Sequence, residues 1–187
     1  MKVSRKQVAE NRQSILDAAS RLFRQRGYDA VTVADVMTAA GLTHGGFYVY
    51  FKSKDELIAQ TLTHVLDQDD ELVRDPVAYA EAYLSPAHRD NLSGGCPTAA
   101  LAAETIRQSP QARSAMTEGQ RNNLERFIKG LPNAMAGEAR RMAIGSWSAM
   151  VGAMVLARLV DDAKLSDEFL AQTFAWIRDK ETGDATD

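Results

Sequence analysis

Apolar residues recur along this chain three and four positions apart, the spacing that lines one face of an α-helix. The first stripe predicts a helix over Arg5–Arg26, which Gly27 closes. Its apolar members are Val8, Ile15, Ala18, Ala19, Leu22 and Phe23. Later stripes predict helices over residues 54–73, 76–84, 96–108, 110–131 and 166–179, and one that starts at residue 134 or 137 and ends at 160. The pattern therefore predicts an all-α fold.

Residues 31–51, VTVADVMTAAGLTHGGFYVYF, predict two short helices joined by a glycine turn. The hydroxyl of Thr32 is placed to cap the first helix, and Asp35 puts a carboxylate in its first turn, where it favours the helix dipole. Gly41 ends that helix, because a residue just past a helix end often needs a positive φ. This arrangement is typical of a helix-turn-helix.

The second short helix is predicted over residues 44–50, with Thr43 as its cap. Phe47 and Phe51 are four apart and are expected to point into the core together. Two adjacent glycines, Gly45 and Gly46, weaken the start of this helix but let its backbone approach a large object, such as the wall of a DNA groove. The alternative is a helical hairpin with solvent-exposed aromatic residues.

Polar groups suited to phosphate follow the glycines. Tyr48 and Tyr50 carry phenolic hydroxyls that donate to phosphate oxygens, and Lys52 and Lys54 add positive charge directly after them. This composition favours DNA binding over the hairpin.

The stretch GLTHGGFYVYFKSKDEL resembles the DNA-binding domain of the TetR (tetracycline repressor) family of bacterial transcriptional regulators. It is preceded by TVADVMTAAG and by a helix ending LFRQRGYDAVT, and the resemblance extends from about Ile15 to Leu62. It implies an all-helical homodimer with an N-terminal three-helix helix-turn-helix domain. It also implies a larger C-terminal domain that dimerises and binds a small-molecule effector.

The resemblance also implies contacts to double-stranded DNA. Residues that match its base contacts are Thr43, His44, Gly45 and Val49. Residues that match its phosphate contacts are Thr32, Tyr48, Tyr50 and Lys54. Gly45 and Gly46 offer no side chain for base reading, which leaves the operator preference open.

The net charge of −3 divides unevenly along the chain. Residues 1–54 hold nine Lys or Arg against four Asp or Glu, a net +5, so the remainder carries −8. A basic head on an acidic body is the expected pattern when only one end meets DNA.

Composition adds further bounds. From the sequence we expect a cytoplasmic protein, because no signal peptide is recognised and no run approaches the roughly 20 apolar residues of a membrane span. One cysteine excludes an intramolecular disulfide.

We predict a DNA-binding domain over 1–53, an effector and dimerisation domain over 54–180, and a disordered tail over 181–187. The last two helices are expected to pair across a homodimer interface.

An effector pocket is implied by the resemblance, and its candidate lining residues are Cys96, Met116, Phe127, Trp147 and Met150. Methionine and aromatic residues at helical spacing also form ordinary core, so both interpretations stay open. Cys96 opens a predicted helix, where the dipole favours a thiolate, and a thiol sensor of electrophiles or oxidants is a further hypothesis.

Motifs of other chemistry were not found. The sequence lacks GxxxxGK[ST], GxSxG and HExxH, and its three histidines are far apart, so no catalytic residue, metal site or cofactor is predicted. The most probable function from the sequence is a ligand-responsive repressor that binds a palindromic operator. The alternatives are an architectural DNA-binding protein without an effector and, less favoured, an enzyme based on Cys96.

Overall fold

A computed structural model describes residues 4–67, 75–131 and 136–182, and within these ranges the chain is helical without a strand. The helices in chain order are α1 (Arg5–Arg26), α2 (Val33–Ala39), α3 (Phe47–Tyr50, preceded by a 3₁₀ turn over His44–Gly46), α4 (Lys54–Asp67), α5 (Pro76–Tyr83), α6 (Pro86–Asp90), α7 (Pro97–Thr105), α8 (Pro110–Lys129), α9 (Ala136–Leu159) and α10 (Ala163–Thr182). The predicted all-α class is confirmed.

The helices form two compact units, and the first is not continuous in sequence. It takes the described residues up to 67 together with Cys96–Gly119. The second takes the described residues of 75–95 and those from Gln120 onward. Helix α8 therefore contributes its first half to one unit and its second half to the other.

The first unit has one apolar core shared by α1, α2, α3, α4 and α7. Its largest buried side chains are Ile15, Phe23, Tyr28, Met37, Phe47, Phe51, Leu57 and Leu62. The rings of Phe23 and Tyr28 meet edge to face with centroids 5.2 Å apart. Burial of these side chains sets the positions of the helix-turn-helix elements on α1 and α4.

Polar contacts fasten α7 to the end of α1. The backbone N–H of Tyr28 donates to Glu104 Oε2 at 2.7 Å. The hydroxyls of Tyr28 and Thr105 lie 3.0 Å apart, and that of Thr105 donates to the carbonyl of Leu101 at 2.8 Å. Thr105 has thereby used its only proton, so Tyr28 is the donor in this pair. Burial raises the pKa of Tyr28 to about 12, which keeps its hydroxyl a donor.

In the second unit α9 packs against α10, and α5 contacts α10. The buried side of α9 includes Ala143, Met150, Met154 and Ala157. The hydroxyl of Ser166 in α10 donates to the carbonyl of Ala157 at 2.6 Å, which ties the start of one helix to the end of the other.

The expectation that no segment resembles a membrane span needs correction. Within Gly137–Leu159 an 18-residue stretch has a mean hydropathy of 1.4, and this helix passes the length and composition test for a membrane span, the single one to do so among the described residues. Several of its side chains are in the core of the second unit, as in the central helix of many globular proteins. The test is therefore weak evidence for a membrane.

Three predicted loop and helix boundaries are wrong. Residues 85–95, left without a helix between the predicted helices 76–84 and 96–108, contain α6, because Ser85 caps it by accepting from the His88 N–H at 3.2 Å, and Pro86 suits its first turn. Helix α10 starts at Ala163 rather than Ser166, because Asp162 accepts from the Lys164 N–H at 2.9 Å. The disordered tail predicted from residue 181 is wrong at its first two residues, because α10 continues to Thr182. The predicted end of α4 at Val73 and residues 183–187 of the predicted tail lie outside the described residues.

The end of α1 yields a stability prediction. Gly27 and Gly41 both have positive φ, 77° and 72°, but only at Gly27 would an added Cβ overlap the Glu104 carboxylate. Gly41→Ala should lower the free energy of unfolding by roughly 1 kcal/mol through backbone strain alone, and Gly27→Ala should lower it by roughly 2–3 kcal/mol. Denaturant unfolding of both variants measures these losses. Equal losses in the two variants would show that the Glu104 carboxylate moves aside without cost.

Candidate nucleic-acid interface

Helix α2 begins with a reciprocal cap between Thr32 and Asp35, of which the bond accepted by the Thr32 hydroxyl was predicted. Thr32 Oγ1 accepts from the Asp35 N–H at 3.1 Å, and Asp35 Oδ2 accepts from the Thr32 N–H at 2.9 Å. The Thr32 hydroxyl also donates to Asp35 Oδ2 at 2.7 Å. The hydrogen bond from the Thr32 hydroxyl lowers the pKa of Asp35 most, and the bond from the Thr32 backbone N–H lowers it further, because both bonds favour the carboxylate.

The turn after α2 depends on Gly41. Its φ of 72° lets the chain reverse so that the Leu42 N–H donates back to the Met37 carbonyl at 2.9 Å. This closure uses a carbonyl at the end of α2 that has no partner within the helix. The turn sets the direction in which the next helix leaves.

The second helix of the motif differs from the prediction in its first turn. Residues His44–Gly46 form a 3₁₀ turn, and α-helical geometry starts only at Phe47. Thr43 is at the N-cap position, but its side chain makes no capping hydrogen bond, so this part of the prediction is wrong. Its carbonyl instead accepts from the Gly46 N–H at 3.1 Å. The two glycines account for the tighter turn, since they favour an α-helix weakly.

Two buried phenylalanines hold α3 in place. Phe47 and Phe51 are each 1% exposed, and their rings stack with centroids 5.7 Å apart, as the spacing predicted. Their burial forces the residues between them outward, so that Tyr48 is 75% and Val49 72% exposed. Large exposed side chains on a short helix suit a binding surface, and they also fit the helical hairpin with exposed aromatic residues, so exposure alone does not separate the two.

All four residues expected to meet bases are exposed on one short stretch, namely Thr43, His44, Gly45 and Val49. A Cβ added to Gly45 would meet nothing within 4 Å, so the backbone is open to approach there. The base contacts themselves stay a prediction.

The residues expected to meet phosphate are in different environments. Tyr48 projects freely, whereas the Tyr50 hydroxyl accepts from Asn11 Nδ2 on α1 at 2.8 Å. Lys54 starts α4, whose Ser53 cap accepts from the Glu56 N–H at 3.1 Å. The Thr32 hydroxyl has given its proton to Asp35, so a bond from it to phosphate would require an exchange.

Sequence reasoning missed three residues that support this surface. Asn11 contacts Tyr50, and the guanidinium of Arg12 lies 5.1 Å from the centre of the Phe51 ring. Glu104 accepts from the N–H of Tyr28. A contact between residues 39 or 76 positions apart leaves no periodic signal in a single sequence.

The five predicted effector residues do not share one unit. Cys96 and Met116 belong to the first unit, and Phe127, Trp147 and Met150 to the second. The rings of Phe127 and Trp147 are 6.0 Å apart, and Met150 is buried.

Further aromatic residues surround that pair. Tyr79 meets Phe127 edge to face at 5.2 Å, and Tyr83 meets Trp147 at 5.6 Å. We name Tyr79, Tyr83, Phe127 and Trp147 the aromatic cluster. The two tyrosines are four residues apart on α5, a spacing that places them on one face of the helix and from which this cluster could have been predicted.

Cys96 is at the N-cap of α7, as predicted, and its Sγ lies 3.5 Å from the Ala99 backbone nitrogen. Within the described residues no group of three or more His, Cys, Asp or Glu side chains could hold a metal ion.

A cleft of about 460 Å³ in the second unit contains two arginines. Arg89 donates to Asp167 at 2.7 Å and to the Ser166 hydroxyl at 2.9 Å. Arg158 donates to the carbonyls of His88 and Arg89 at 2.9 and 3.0 Å. These bonds join α6, α9 and α10, so we assign the arginines a structural role.

Two family models match the chain. Residues 15–61 match a model described as bacterial regulatory proteins, tetR family. Residues 77–173, more than half of the chain, match a model described as tetracyclin repressor-like, C-terminal domain. The first match spans the whole helix-turn-helix, and the second spans most of the second unit together with α7.

Individual relatives agree. The chain is 26% identical over 169 residues to the transcriptional repressor NemR of Escherichia coli, covering 80% of this chain and 85% of that protein. It is 39% identical over 57 residues to the transcriptional regulator AcrR of Shigella flexneri, which covers 30% and 26% of the two chains. The crystal structure of E. coli NemR in its reduced form has the same fold, with a TM-score of 0.76, 23% identity and coverage of 90% and 96%.

The Thr32–Asp35 cap yields a pH prediction. Because the folded state holds the pKa of Asp35 below its ordinary 3.8, the carboxylate stabilises the fold above that value. This stabilisation should disappear as the pH falls through the lowered pKa, and Asp35→Asn should lack that part of the acid dependence. Thermal unfolding of both proteins from neutral pH downward measures it. If the difference in thermal midpoint between the two proteins stays constant over the whole pH range, the role assigned to the Asp35 carboxylate is contradicted.

Proposed function

Because this chain belongs to the TetR family of bacterial transcriptional regulators, we propose that it is a repressor that a small molecule releases from DNA. The protein is a DNA-binding regulator with a ligand-binding domain, and members of this family are soluble proteins that regulate transcription. We assign it to the cytoplasm, where its DNA is.

The observation that carries DNA binding is the exposed surface of α3. The burial of Phe47 and Phe51 turns Tyr48 and Val49 outward, beside the open backbone at Gly45. In the proposed complex α3 enters the major groove, with His44 donating to guanine N7 or O6. Tyr48, Tyr50 and Lys54 contact the phosphates on either side.

A homodimer is supported by an apolar surface on the second unit. Ile144, Val155, Leu156 and Leu159 are exposed on α9, and Leu165 and Trp176 on α10. An added Cβ would meet nothing within 4 Å at Gly145 or Gly152, which leaves room for another helix to approach closely. We propose that α9 and α10 of two copies pack as a four-helix bundle. Two α3 helices would then read half-sites roughly 34 Å apart.

We propose that the effector binds at the aromatic cluster and is an uncharged molecule with an aromatic or similarly flat apolar part. Trp147 Nε1 donates to Gln120 Oε1 at 2.8 Å. Asn123 lies between Gln120 and Phe127 on the same side of α8 and is only 9% exposed. Its Nδ2 has no hydrogen-bond partner among the described residues, so it is available to a ligand oxygen.

The end of α7 supplies a route for release. Glu104 and Thr105 bind Tyr28, and α7 and the first half of α8 belong to the first unit. We propose that effector binding displaces α8, and with it α7, from the end of α1. In the alternative, α4 alone transmits effector binding to the helix-turn-helix. That alternative predicts that Glu104→Gln leaves the effector response intact.

The experiment that tests the function is selection of the purified protein on a random duplex library at about physiological salt. Enrichment of one inverted repeat supports a dimeric repressor, whereas no enrichment from a folded dimer favours an architectural binder. Loss of binding on addition of flat apolar compounds separates a ligand-responsive regulator from that binder. A response lost in Cys96→Ala, or turnover that depends on Cys96, would support the thiol hypotheses.

Two substitutions in α3 should act differently on the selected operator. Tyr48→Phe removes a phosphate donor and should weaken binding to all sequences by a similar factor, roughly three- to tenfold. His44→Ala should instead relax the preference at one base position. Binding of every single-base operator variant measures both effects. An unchanged profile in His44→Ala would remove His44 from the base-reading residues.

The dimer surface is tested at Gly152. Gly152→Glu puts an unpaired carboxylate into the proposed interface of each copy and should weaken dimerisation on the order of a hundredfold or more. Ala171→Glu is the matched control, because Ala171 is exposed on α10 but faces away from Trp176. Sedimentation analysis gives the dissociation constants. Equal effects of the two substitutions would place the interface elsewhere.

A further inference from the structure

A chain of hydrogen bonds runs along the outer side of α1 and ends on α3. Ser4 Oγ accepts from the Gln7 N–H at 3.1 Å. Gln7 Nε2 donates to Asn11 Oδ1 at 3.0 Å, and Asn11 Nδ2 donates to the Tyr50 hydroxyl oxygen at 2.8 Å. The family resemblance named Tyr50 but gave no role to Asn11.

The direction of the last bond determines what Tyr50 is able to do. The amide NH₂ of Asn11 has protons and no lone pair to offer, so the phenol oxygen is the acceptor. The phenol's single proton is therefore not used in this bond. The bond from Asn11 is the one hydrogen bond that the Tyr50 hydroxyl makes among the described residues. A phosphate oxygen only accepts, so Tyr50 is presented as the donor that a phosphate needs.

The same stretch of α1 also fixes the position of the ring. Tyr50 is half-buried and packs against the core of the first unit. Arg12, the residue after Asn11, lies over the ring of Phe51, the residue after Tyr50, at 5.1 Å. Two neighbouring residues of α1 thus hold the two residues that end α3. Tyr48, in contrast, is 75% exposed and has no such tether among the described residues.

We propose that Asn11 is a positioning residue for DNA binding. Its amide holds the Tyr50 hydroxyl so that the phenol proton points to a backbone phosphate of the bound duplex. Pre-orienting this donor lowers the ordering cost that the free side chain would otherwise meet on binding. The inference rests on the proposed phosphate contact of Tyr50.

A double-mutant cycle on the full-length protein tests the inference. The variants are Asn11→Ala, Tyr50→Phe and their combination, and the probe is a labelled mixed-sequence duplex at low salt, followed by the selected operator. Each single substitution should weaken binding roughly tenfold. The double variant should bind no more weakly than Tyr50→Phe alone, because Asn11 acts through the hydroxyl.

Tyr48 provides the matched control. Asn11→Ala combined with Tyr48→Phe should multiply the two single effects, since no contact joins these residues. If Asn11→Ala weakens binding as much in the Tyr50→Phe background as in the wild type, Asn11 acts on DNA directly or on the fold, and the inference is overturned. Unchanged thermal midpoints exclude loss of folding. Failure of the wild type to bind any duplex would instead reject the proposed function.

A substitution that reverses the bond gives a second readout. Asn11→Asp replaces the donor with an acceptor and should turn the phenol proton inward. It should therefore weaken binding more in the wild-type background than in Tyr50→Phe, where only the added negative charge acts. An equal loss in both backgrounds would show that charge repulsion is the whole effect and would contradict the assigned direction.

Discussion

The DNA-binding helices depend on how the end of α1 is held. Gly27 turns the chain at a φ of 77°, and the following Tyr28 places both its N–H and its ring hydroxyl against α7. Burial makes each of these bonds costly to lose, because an unpaired N–H or hydroxyl in a core costs more than the bond itself contributes. The short helices α2 and α3 have few contacts of their own, so their placement depends on α1, α4 and this junction.

The surface that we propose meets DNA has a rigid part and an adaptable part. Aromatic residues four apart supply the rigid part, since Phe47 and Phe51 stack within the core. The adaptable part is the 3₁₀ turn at Gly45 and Gly46, which has few side-chain contacts to lose when the backbone adjusts to a groove. In the proposed dimer a two-fold axis would present two such surfaces to one duplex.

Much of the fold was predictable from local signals. The Thr32 cap, the turn at Gly41 and the burial of Phe47 and Phe51 each follow from chemistry within a few residues, and each is confirmed. The bonds from Asn11 to Tyr50 and from Glu104 to Tyr28 join distant residues, and no pattern within one sequence predicts them. Thr43 shows the opposite error, because a suitable cap residue was present but the glycines after it favoured a 3₁₀ turn.

The discontinuity of the first unit has a consequence for how the protein is made. The helix-turn-helix is translated before residues 96–119, which belong to the same unit. Until those residues emerge, the N–H and hydroxyl of Tyr28 lack Glu104 and Thr105 as partners, and the core of the first unit lacks the side chain of Leu101. The nascent head therefore completes its packing only after residues 96–119 have been translated and have left the ribosome, later than its own sequence does.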